Sequence, residues 1–595
     1  MHILPQILIT FVTLYWSLLT EFFSECFFAS LLERCHNHLL VKLARHLDFQ
    51  PIETACAAYR HQDGPGRRPT YSVSVLVRSL LVGYLYTLSL RELEQRLYSD
   101  MVVRLFVGLS AFGDVPDHCT LERFEFWVRD HHPRIYSDTI LKQIDALFPN
   151  SHKLNQVGDT YALIANAAEE ELTTRLRHTV RCLLAEAVQS MPDLLTPTVS
   201  RFAWHELFGA PKEKPAFCLS KVERRQRLET VILAAHELQQ RFTTTLQNCS
   251  SQAYPEVRLW VGYLGKIIHD EVIISTEPLP AGSDNPPEAH IHLRTAQERR
   301  SDPETSLRIG SATDPEAILR CARDRLYRQH GNDEEDIKFG YNIQVAASTD
   351  GFIRETQAYT GATPDEAGIA PLVAAQLEHQ GTCPPKLIYD IAAGSGKTRA
   401  EVEQASEGKT QLVAKQRPYD QRSERFGPYD FTLSEDGKVL TCPNSKTSNI
   451  AYRSGSGDGR DFRFYACQCW LNGEPPKRMK NANLSLRCPL WERCRDSRQG
   501  PAAMRQVFIS DYRDHVLAAK AYNQTTAFQT EMKQRPLIER IIFELTHYNG
   551  ARRCRRRGTA NADWQAKMCA TVYNLKLLMR KLDKAALPQP AASPA

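Results

Sequence analysis

Two long stretches of the chain carry apolar residues at the spacing of helices. Residues 71–148 show this period, and within them Ser89 and Glu92 form the pattern of a capping box at a helix start. Residues 169–275 show it again, until a proline-rich break at 277–290. The pattern predicts a compact helical unit near the start of the chain and a second helical segment farther on.

Strand-like segments lie before and after that second helical stretch. The segment LNQVGDTYALIANAA alternates around Asp159, which predicts a strand carrying this acid among apolar neighbours. YNIQVAAS and FIRETQAYT flank the turn residues Asp350 and Gly351 and predict a hairpin. A helix over 365–380 and a short strand ending at Asp390 follow. Since such crossovers are right-handed, the end of that strand is expected near the middle of the sheet.

The acid of the first strand has two interpretations. A carboxylate among buried side chains is costly unless it is paired or binds a metal ion, which favours a functional role for Asp159. The alternative is an aspartate at the edge of a sheet, in contact with water.

The segment IERIIFELTHYNGARRCRRRG, residues 538–558, joins an amphipathic helix to an arginine run. Its apolar residues recur at helical spacing, and Glu539 borders the face they form. A carboxylate beside clustered arginines indicates a site for a polyanion and a metal ion. The alternative is an ordinary surface pair with Arg535, four residues earlier. The run follows a helix stop expected at Gly550 and consists of Arg552, Arg553, Arg555, Arg556 and Arg557.

The composition is that of a soluble globular protein, with 42% hydrophobic and 24% charged residues. A chain of 595 residues exceeds the size of a single core, so two or more domains are expected. The net charge of +5 is modest for this length and identifies no partner by itself. The 16 cysteines are mostly isolated, which indicates a reducing compartment rather than a disulfide framework.

The first 32 residues are strongly apolar, so a membrane segment has to be considered. The run over 3–19 is shorter than the roughly 20 residues that span a bilayer, and it contains Pro5 and Gln6. No Lys or Arg precedes Arg34, so the charged start of a signal peptide is missing. We expect a buried or poorly defined N-terminal helix rather than a membrane segment.

Residues 391–399, IAAGSGKTR, follow a predicted strand and contain the GKT of a phosphate-binding loop. That motif requires a glycine five positions before Gly396, where this chain has Ile391. A nucleoside triphosphatase is therefore disfavoured. The GSG sequence instead predicts a tight turn that leaves the carboxylate of Asp390 open.

Clustered cysteines in a loop-rich segment indicate a second kind of metal site. Thiolates around a zinc ion can hold together a segment whose core is too small to fold alone. The spacings are C-x-C and C-x5-C rather than paired C-x2-C, so cysteines without a metal are the alternative. The residues concerned are Cys442, Cys467, Cys469, Cys488 and Cys494.

The order of these segments resembles that of the DDE transposases of bacterial insertion sequences, over about residues 64–582. The family's N-terminal helical region, associated with binding transposon ends, is similar to GRRPTYSVSVLVRSLLVGYLY, SLRELEQRL and VPDHCTLERF. The segments around its three acids resemble GDTYALIANAA, LIYDIAAGSG and IERIIFELTHYNGARRCRRRG, and the hairpin region resembles SATDPEA with KFGYNIQVAASTDGFI. The resemblance implies an α/β, ribonuclease-H-like core like that of retroviral integrases.

The resemblance also implies which residues act. Asp159, Asp390 and Glu539 are the expected catalytic acids and ligands of Mg²⁺ or Mn²⁺, with Glu544 as the alternative third acid. Two departures are visible. The family often has Asp-Ala-Gly-Tyr-Gly-Ser at the second acid, where this chain has DIAAGS, and often a lysine seven residues after the third, where this chain has Thr546.

The implied activity is metal-dependent cleavage at transposon ends, followed by transfer of the freed 3′ hydroxyl into target DNA. Two magnesium ions would serve the attacking and leaving oxygens, and the arginine run would neutralise phosphates. A nuclease that cuts without joining and a decayed derivative that only binds DNA are the alternatives. The implied partners are double-stranded DNA and a second copy of the chain, without a membrane partner, in a cytoplasmic, nucleoid-associated location.

Together these features predict six segments. They are an N-terminal segment at 1–70, a helical unit for binding DNA ends at 71–150, the first part of the catalytic core at 151–415, a cysteine-rich insertion at 416–504, C-terminal core helices at 505–583 and a disordered tail at 584–595. The first part of the core includes the helical insertion at about 169–275 and a linker at 276–310.

Overall fold

The structure is a computed structural model that describes most of the chain. The described residues are 22–60, 71–199, 204–209, 212–276, 289–295, 297–298, 308–319, 339–361, 363–416, 425–455, 457–476, 483–495, 500 and 502–586. The apolar run at 3–19, most of the proline-rich break and the last nine residues of the expected tail lie outside them.

Helices form the unit that precedes the central sheet, as the apolar spacing predicts. They are α1 (Leu39–His46), α2 (Gln50–Ala55), α3 (Val73–Leu85), α4 (Leu90–Ser99), α5 (Met101–Val107), α6 (His118–His131) and α7 (Ile135–Leu147). The capping box is confirmed, since Ser89 and Glu92 each accept a hydrogen bond from the other's backbone N–H. In the described part of the chain no single helix is long and apolar enough to cross a membrane, and α3 with α4 meets that test only as a pair bent by 109°.

A mixed sheet forms the centre of the molecule. Its strands are β1 (Gln156–Ile164), β4 (Ile318–Leu319), β5 (Phe339–Ser348), β6 (Ile353–Thr360), β7 (Lys386–Ile388) and β8 (Gln411–Val413). The strands β2 (Val272–Thr276) and β3 (Ala289–Leu293) belong to a separate hairpin. β5 is antiparallel to β1 and to β6, which confirms the predicted hairpin, while β7 is parallel to β1 and to β8. β1 therefore lies in the middle of the order β6-β5-β1-β7-β8, and β4 shares the β6 edge of β5.

The predicted helical insertion is a small unit with a core of its own. It contains α8 (Leu172–Ser190), α9 (Pro192–Val199), α10 (Trp204–Phe208), α11 (Lys221–Gln247) and α12 (Pro255–Glu271), whose buried leucines and valines pack together. The expected linker at 276–310 differs from the structure. Its residues Ala289–Leu293 form β3, which pairs with β2 (Val272–Thr276), because apolar side chains of this hairpin pack onto the insertion's core.

The cysteine-rich insertion contains short strands around a cluster of buried phenylalanines. β9 (Thr432–Leu433), β10 (Leu440–Thr441) and β11 (Thr447–Ser448) form one sheet, and β12 (Ala451–Arg453), β13 (Gly459–Phe464) and β14 (Arg505–Ser510) form another. The predicted end at residue 504 is too early, because β14 pairs with β13 along its whole length.

Helices cover both faces of the central sheet. α13 (Ile369–Gln380) and α14 (Gly396–Ala405) pack on one face. After α15 (Trp491–Cys494) in the insertion, the chain ends with α16 (Arg513–Tyr522), α17 (Thr526–Met532), α18 (Pro536–Tyr548) and α19 (Thr559–Ala586). α19 joins the other face to the N-terminal helices in one core. Its last residues, 584–586, are helical rather than part of a disordered tail.

Candidate functional site

The pairing of β1 with β7 brings Asp159 and Asp390 close together on neighbouring central strands. Val157 lies opposite Ile388 in this parallel pair. Each acid stands two residues farther along its own strand direction, so the register carries the two carboxylates to neighbouring positions. β1 is the central strand, which excludes the alternative of an aspartate on a sheet edge.

The glycine before the first acid allows the two strands to approach in this way. A Cβ atom at Gly158 would lie 2.1 Å from Cε2 of Tyr389, the residue before the second acid. Tyr389 is fully buried, and its hydroxyl donates a hydrogen bond to Oε1 of Gln344 at 2.7 Å. The ring therefore occupies the space of the missing side chain and fixes the backbone on both sides of the acid pair.

Asp159 is a half-buried carboxylate in a mixed electrostatic environment. Its Oδ1 accepts a hydrogen bond from the backbone N–H of Thr160 at 2.8 Å. Burial raises its pKa, and the carboxylates of Asp390 and Asp365 raise it further, whereas the Thr160 hydrogen bond and the Arg535 guanidinium lower it. Such crowding of acids is the condition under which a bound cation becomes favourable.

The second acid caps a short turn rather than a nucleotide-binding loop. Asp390 accepts a hydrogen bond from the N–H of Ala392 at 2.9 Å. Ser395 then caps α14, and a Cβ atom at Gly394 would lie 2.1 Å from the carbonyl oxygen of Lys415. These contacts support the tight turn predicted for the GSG sequence.

Arg535 connects the third acid to the pair on the sheet. Its Nη1 lies 2.5 Å from Oε1 of Glu539 on α18, and its Nη2 lies 2.9 Å from Oδ2 of Asp159. The ordinary i,i+4 pair is thus present, but the same guanidinium also reaches the central strand. Glu539 remains 58% exposed at this position, whereas Glu544 pairs with Arg580 at 3.1 Å.

Asp365 is an acid near the site that the sequence did not single out. Its Oδ1 accepts hydrogen bonds from the hydroxyl of Thr160 at 2.8 Å and from Nδ2 of Asn342 at 2.9 Å. It begins the short turn after β6, where the sequence offered only an acid following a predicted hairpin. It contributes negative charge near Asp159.

The fold divides the arginine run into two groups. The guanidinium of Arg555 lies 4.1 Å from the ring centre of Tyr84, and Arg556 forms ion pairs with Glu122 at 2.6 Å and Glu125 at 2.9 Å. These two residues therefore join the N-terminal helices to the core. The exposed members of the run are Arg552, Arg553 and Arg557.

The SATDPEA segment has a structural role at the same joint. Asp314 is buried and accepts a hydrogen bond from the hydroxyl of Tyr341 at 2.6 Å, and another from the N–H of Gly558 at 3.3 Å. Burial raises the pKa of its carboxyl group. Asp314 thus ties the end of the arginine run to β5.

Four of the five clustered cysteines line one cavity in the insertion. They are Cys442, Cys469, Cys488 and Cys494, whereas Cys467 is exposed outside it. Nδ2 of Asn444 lies 3.3 Å from Sγ of Cys488, and Nη2 of Arg495 lies 3.2 Å from Sγ of Cys469.

Neither the thiols nor the acids form a complete set of metal ligands in the part of the chain that the structure describes. Across the described ranges, no group of three or more His, Cys, Asp or Glu side chains is arranged to hold a metal ion. The magnesium and zinc expectations therefore both stay predictions.

Two ranges of the chain match models of known protein families. Residues 29–125 match a family described as a transposase domain (DUF772), and residues 441–579 match a transposase DDE domain. The two matches together support an insertion-sequence DDE transposase. No curated protein and no solved structure matches this chain.

The two matched ranges cover different parts of the chain. The first covers N-terminal helices up to α6, and the second contains Glu539, the arginine run and the clustered cysteines. Asp159 and Asp390 lie in neither range. Their assignment rests on the strand register and on the resemblance of their segments.

Proposed function

We propose that this transposase cleaves DNA at transposon ends and joins the freed 3′ ends to target DNA, with Asp159, Asp390 and Glu539 as metal ligands. One observation carries the proposal: the Arg535 guanidinium bridges Asp159 and Glu539. The carboxylate of Asp390 acts electrostatically on Asp159, the first acid of this bridge. The central position of the first acid also fits a ribonuclease-H-like core.

The donor set fits the expected ions. Carboxylate oxygens are the ligands that Mg²⁺ prefers, and Mn²⁺ accepts the same ones. When bound, such ions stabilise the charge that develops on the oxygens of an in-line displacement at phosphorus. Arg535 is partly exposed, so its side chain is able to leave the carboxylates and turn toward a DNA phosphate.

The other polar groups position the acids and the DNA. The Thr160 N–H and the Ala392 N–H hold the carboxylates of Asp159 and Asp390 in their orientations. Arg552, Arg553 and Arg557 are exposed and would neutralise phosphates. Arg555 and Arg556 instead keep the N-terminal helices beside the core, which would align a bound DNA end with the acids.

A cleavage and strand-transfer assay with end DNA in Mg²⁺ tests the proposal. We expect Glu539→Gln to abolish both steps, whereas Glu544→Gln, on the same helix, should leave them largely intact. Activity that survives Asp159→Ala and Asp390→Ala would overturn the assignment. Cutting without joining would indicate a nuclease, and DNA binding without cutting would indicate the decayed derivative that Thr546 and the DIAAGS sequence allow.

We further propose that the cysteine-rich insertion holds a structural zinc ion, with four ligands rather than five. The support is that Cys442, Cys469, Cys488 and Cys494 share one cavity. Four thiolates are the complete ligand set of a structural zinc site, and the nearby Arg495 and Asn444 would stabilise their sulfur atoms.

A further inference from the structure

The outer face of α18 carries aromatic side chains next to the third acid. Phe543 is 49% exposed and Tyr548 is 64% exposed, although apolar rings of this size are ordinarily buried. Phe543 stands four residues after Glu539 and His547 four residues after Phe543, so these three residues lie along one side of the helix. The opposite side, with Ile538, Ile541 and Leu545, is fully buried.

The rings form an ordered surface. Phe543 and His547 stack with ring centres 4.0 Å apart and an angle of 22° between their planes. The imidazole is held in place because its Nδ1 lies 3.0 Å from the carbonyl oxygen of Phe543. Tyr548 stands nearly at right angles to Phe543, at 5.9 Å.

Exposed arginines precede and follow these rings in the chain. Arg540 is exposed on the same helix, and Arg552 and Arg553 are exposed just past the turn at Gly550. That turn lies against the N-terminal unit, since a Cβ atom at Gly550 would be 3.4 Å from the Thr87 side chain. The aromatic residues therefore lie on α18 between Glu539 near its start and the turn that meets the N-terminal unit at its end.

We propose that Phe543, His547 and Tyr548 bind an unpaired nucleobase of the DNA end by stacking. The inference rests on the proposed function and names a ligand for the surface next to its acid site. Aromatic rings flanked by arginines fit single-stranded nucleic acid, because bases stack on the rings while cations contact the phosphates. Binding a displaced base here would hold the DNA strand next to Glu539 and fix the phosphate that is cut.

Fluorescence anisotropy with the full-length chain tests this proposal. The probes are labelled oligothymidylate and a blunt duplex of the same length, and the Asp159→Asn background prevents cleavage. We expect Phe543→Ala and Tyr548→Ala each to weaken oligothymidylate binding about tenfold, with little change for the duplex. Phe543→Trp should retain binding, and its emission should be quenched by oligothymidylate. The matched control is Phe217→Ala in the helical insertion, where the ring is 82% exposed.

Three results would overturn the stacking surface. In the first, Phe543→Ala and Tyr548→Ala bind oligothymidylate as tightly as the Phe217→Ala control. In the second, these two variants lose affinity equally for oligothymidylate and for the duplex. In the third, their sedimentation coefficient changes, which would identify a contact between copies of the chain. The proposed function has a separate readout. If Phe543→Ala still cuts duplex ends in an Asp159-dependent way and binds oligothymidylate as tightly as the wild type, the stacking proposal is wrong. The proposed acid site would then stand.

Discussion

The acids on the central strands and the thiols in the insertion are positioned by different means. Asp159 and Asp390 are fixed by the register of two central strands and by the Gly158 and Tyr389 contact. The thiols lie on turns and short helices around a small aromatic core. The comparison indicates that the fold itself positions the acid pair, whereas under the zinc proposal the insertion depends on an ion for its folding.

The largest expected effect separates chemistry from folding at the acid site. Asp159→Asn and Asp390→Asn should each slow metal-dependent end cleavage by roughly 10⁴-fold, because the stabilisation of developing charge by the ions is worth several kcal/mol. Circular dichroism should remain that of the wild type. A loss of helical signal that parallels the loss of activity would show that the acids are structural.

The insertion should show the reverse behaviour. Cys494→Ser should remove bound zinc, measured by metal analysis, and destabilise the insertion by about 4 kcal/mol or more. Cys467→Ser is the matched control, because that thiol is exposed outside the cavity and its change should stay within about 0.5 kcal/mol. Equal zinc content in the two variants, or none in the wild type, would end the zinc proposal.

A single methyl group tests the contact that fixes the acid pair. Gly158→Ala should destabilise the protein by about 2 kcal/mol or more, since the new Cβ overlaps the buried ring of Tyr389. Gly262→Ala on α12 is the control, because no heavy atom lies within 4 Å of its Cβ position. The control should stabilise its helix by about 0.5–1 kcal/mol in chemical denaturation. A tolerated Gly158→Ala would show that the strands can separate.

The smallest effect concerns the metal-free protein. The pKa of Asp159 is raised by burial, so the folded state binds this proton more tightly than the unfolded chain does. Stability that is present in acid is therefore lost as the pH rises through the raised pKa. Asp159→Asn cannot ionise, and it should melt above the wild type at neutral pH, with a difference that fades in acid. A difference independent of pH would contradict this assignment of charge.

Local signals in the sequence predicted the elements that local interactions determine. The Ser89 capping box, the hairpin around Asp350 and the apolar face of α18 were all visible because their partners lie within a few residues. Crossover handedness predicted only that the strand ending at Asp390 lies near the middle of the sheet, and β7 does lie beside β1 there.

The remaining features join residues that are far apart in the chain. The Arg535 contact with Asp159 spans 376 positions, and only the folded chain brings the two together. The division of the arginine run depends on Tyr84 and Glu125 in the N-terminal unit. Likewise, β14 pairs with β13 although more than 40 positions separate the paired residues in the chain. Composition and spacing contain no record of such partners.

The most direct test of the three-acid site is to measure Mn²⁺ binding by the full-length protein with electron paramagnetic resonance. We expect Asp159→Asn and Asp390→Asn each to remove the tight sites, and Glu544→Gln to keep them. Tight binding of the same number of ions by all three variants would contradict the three-acid site.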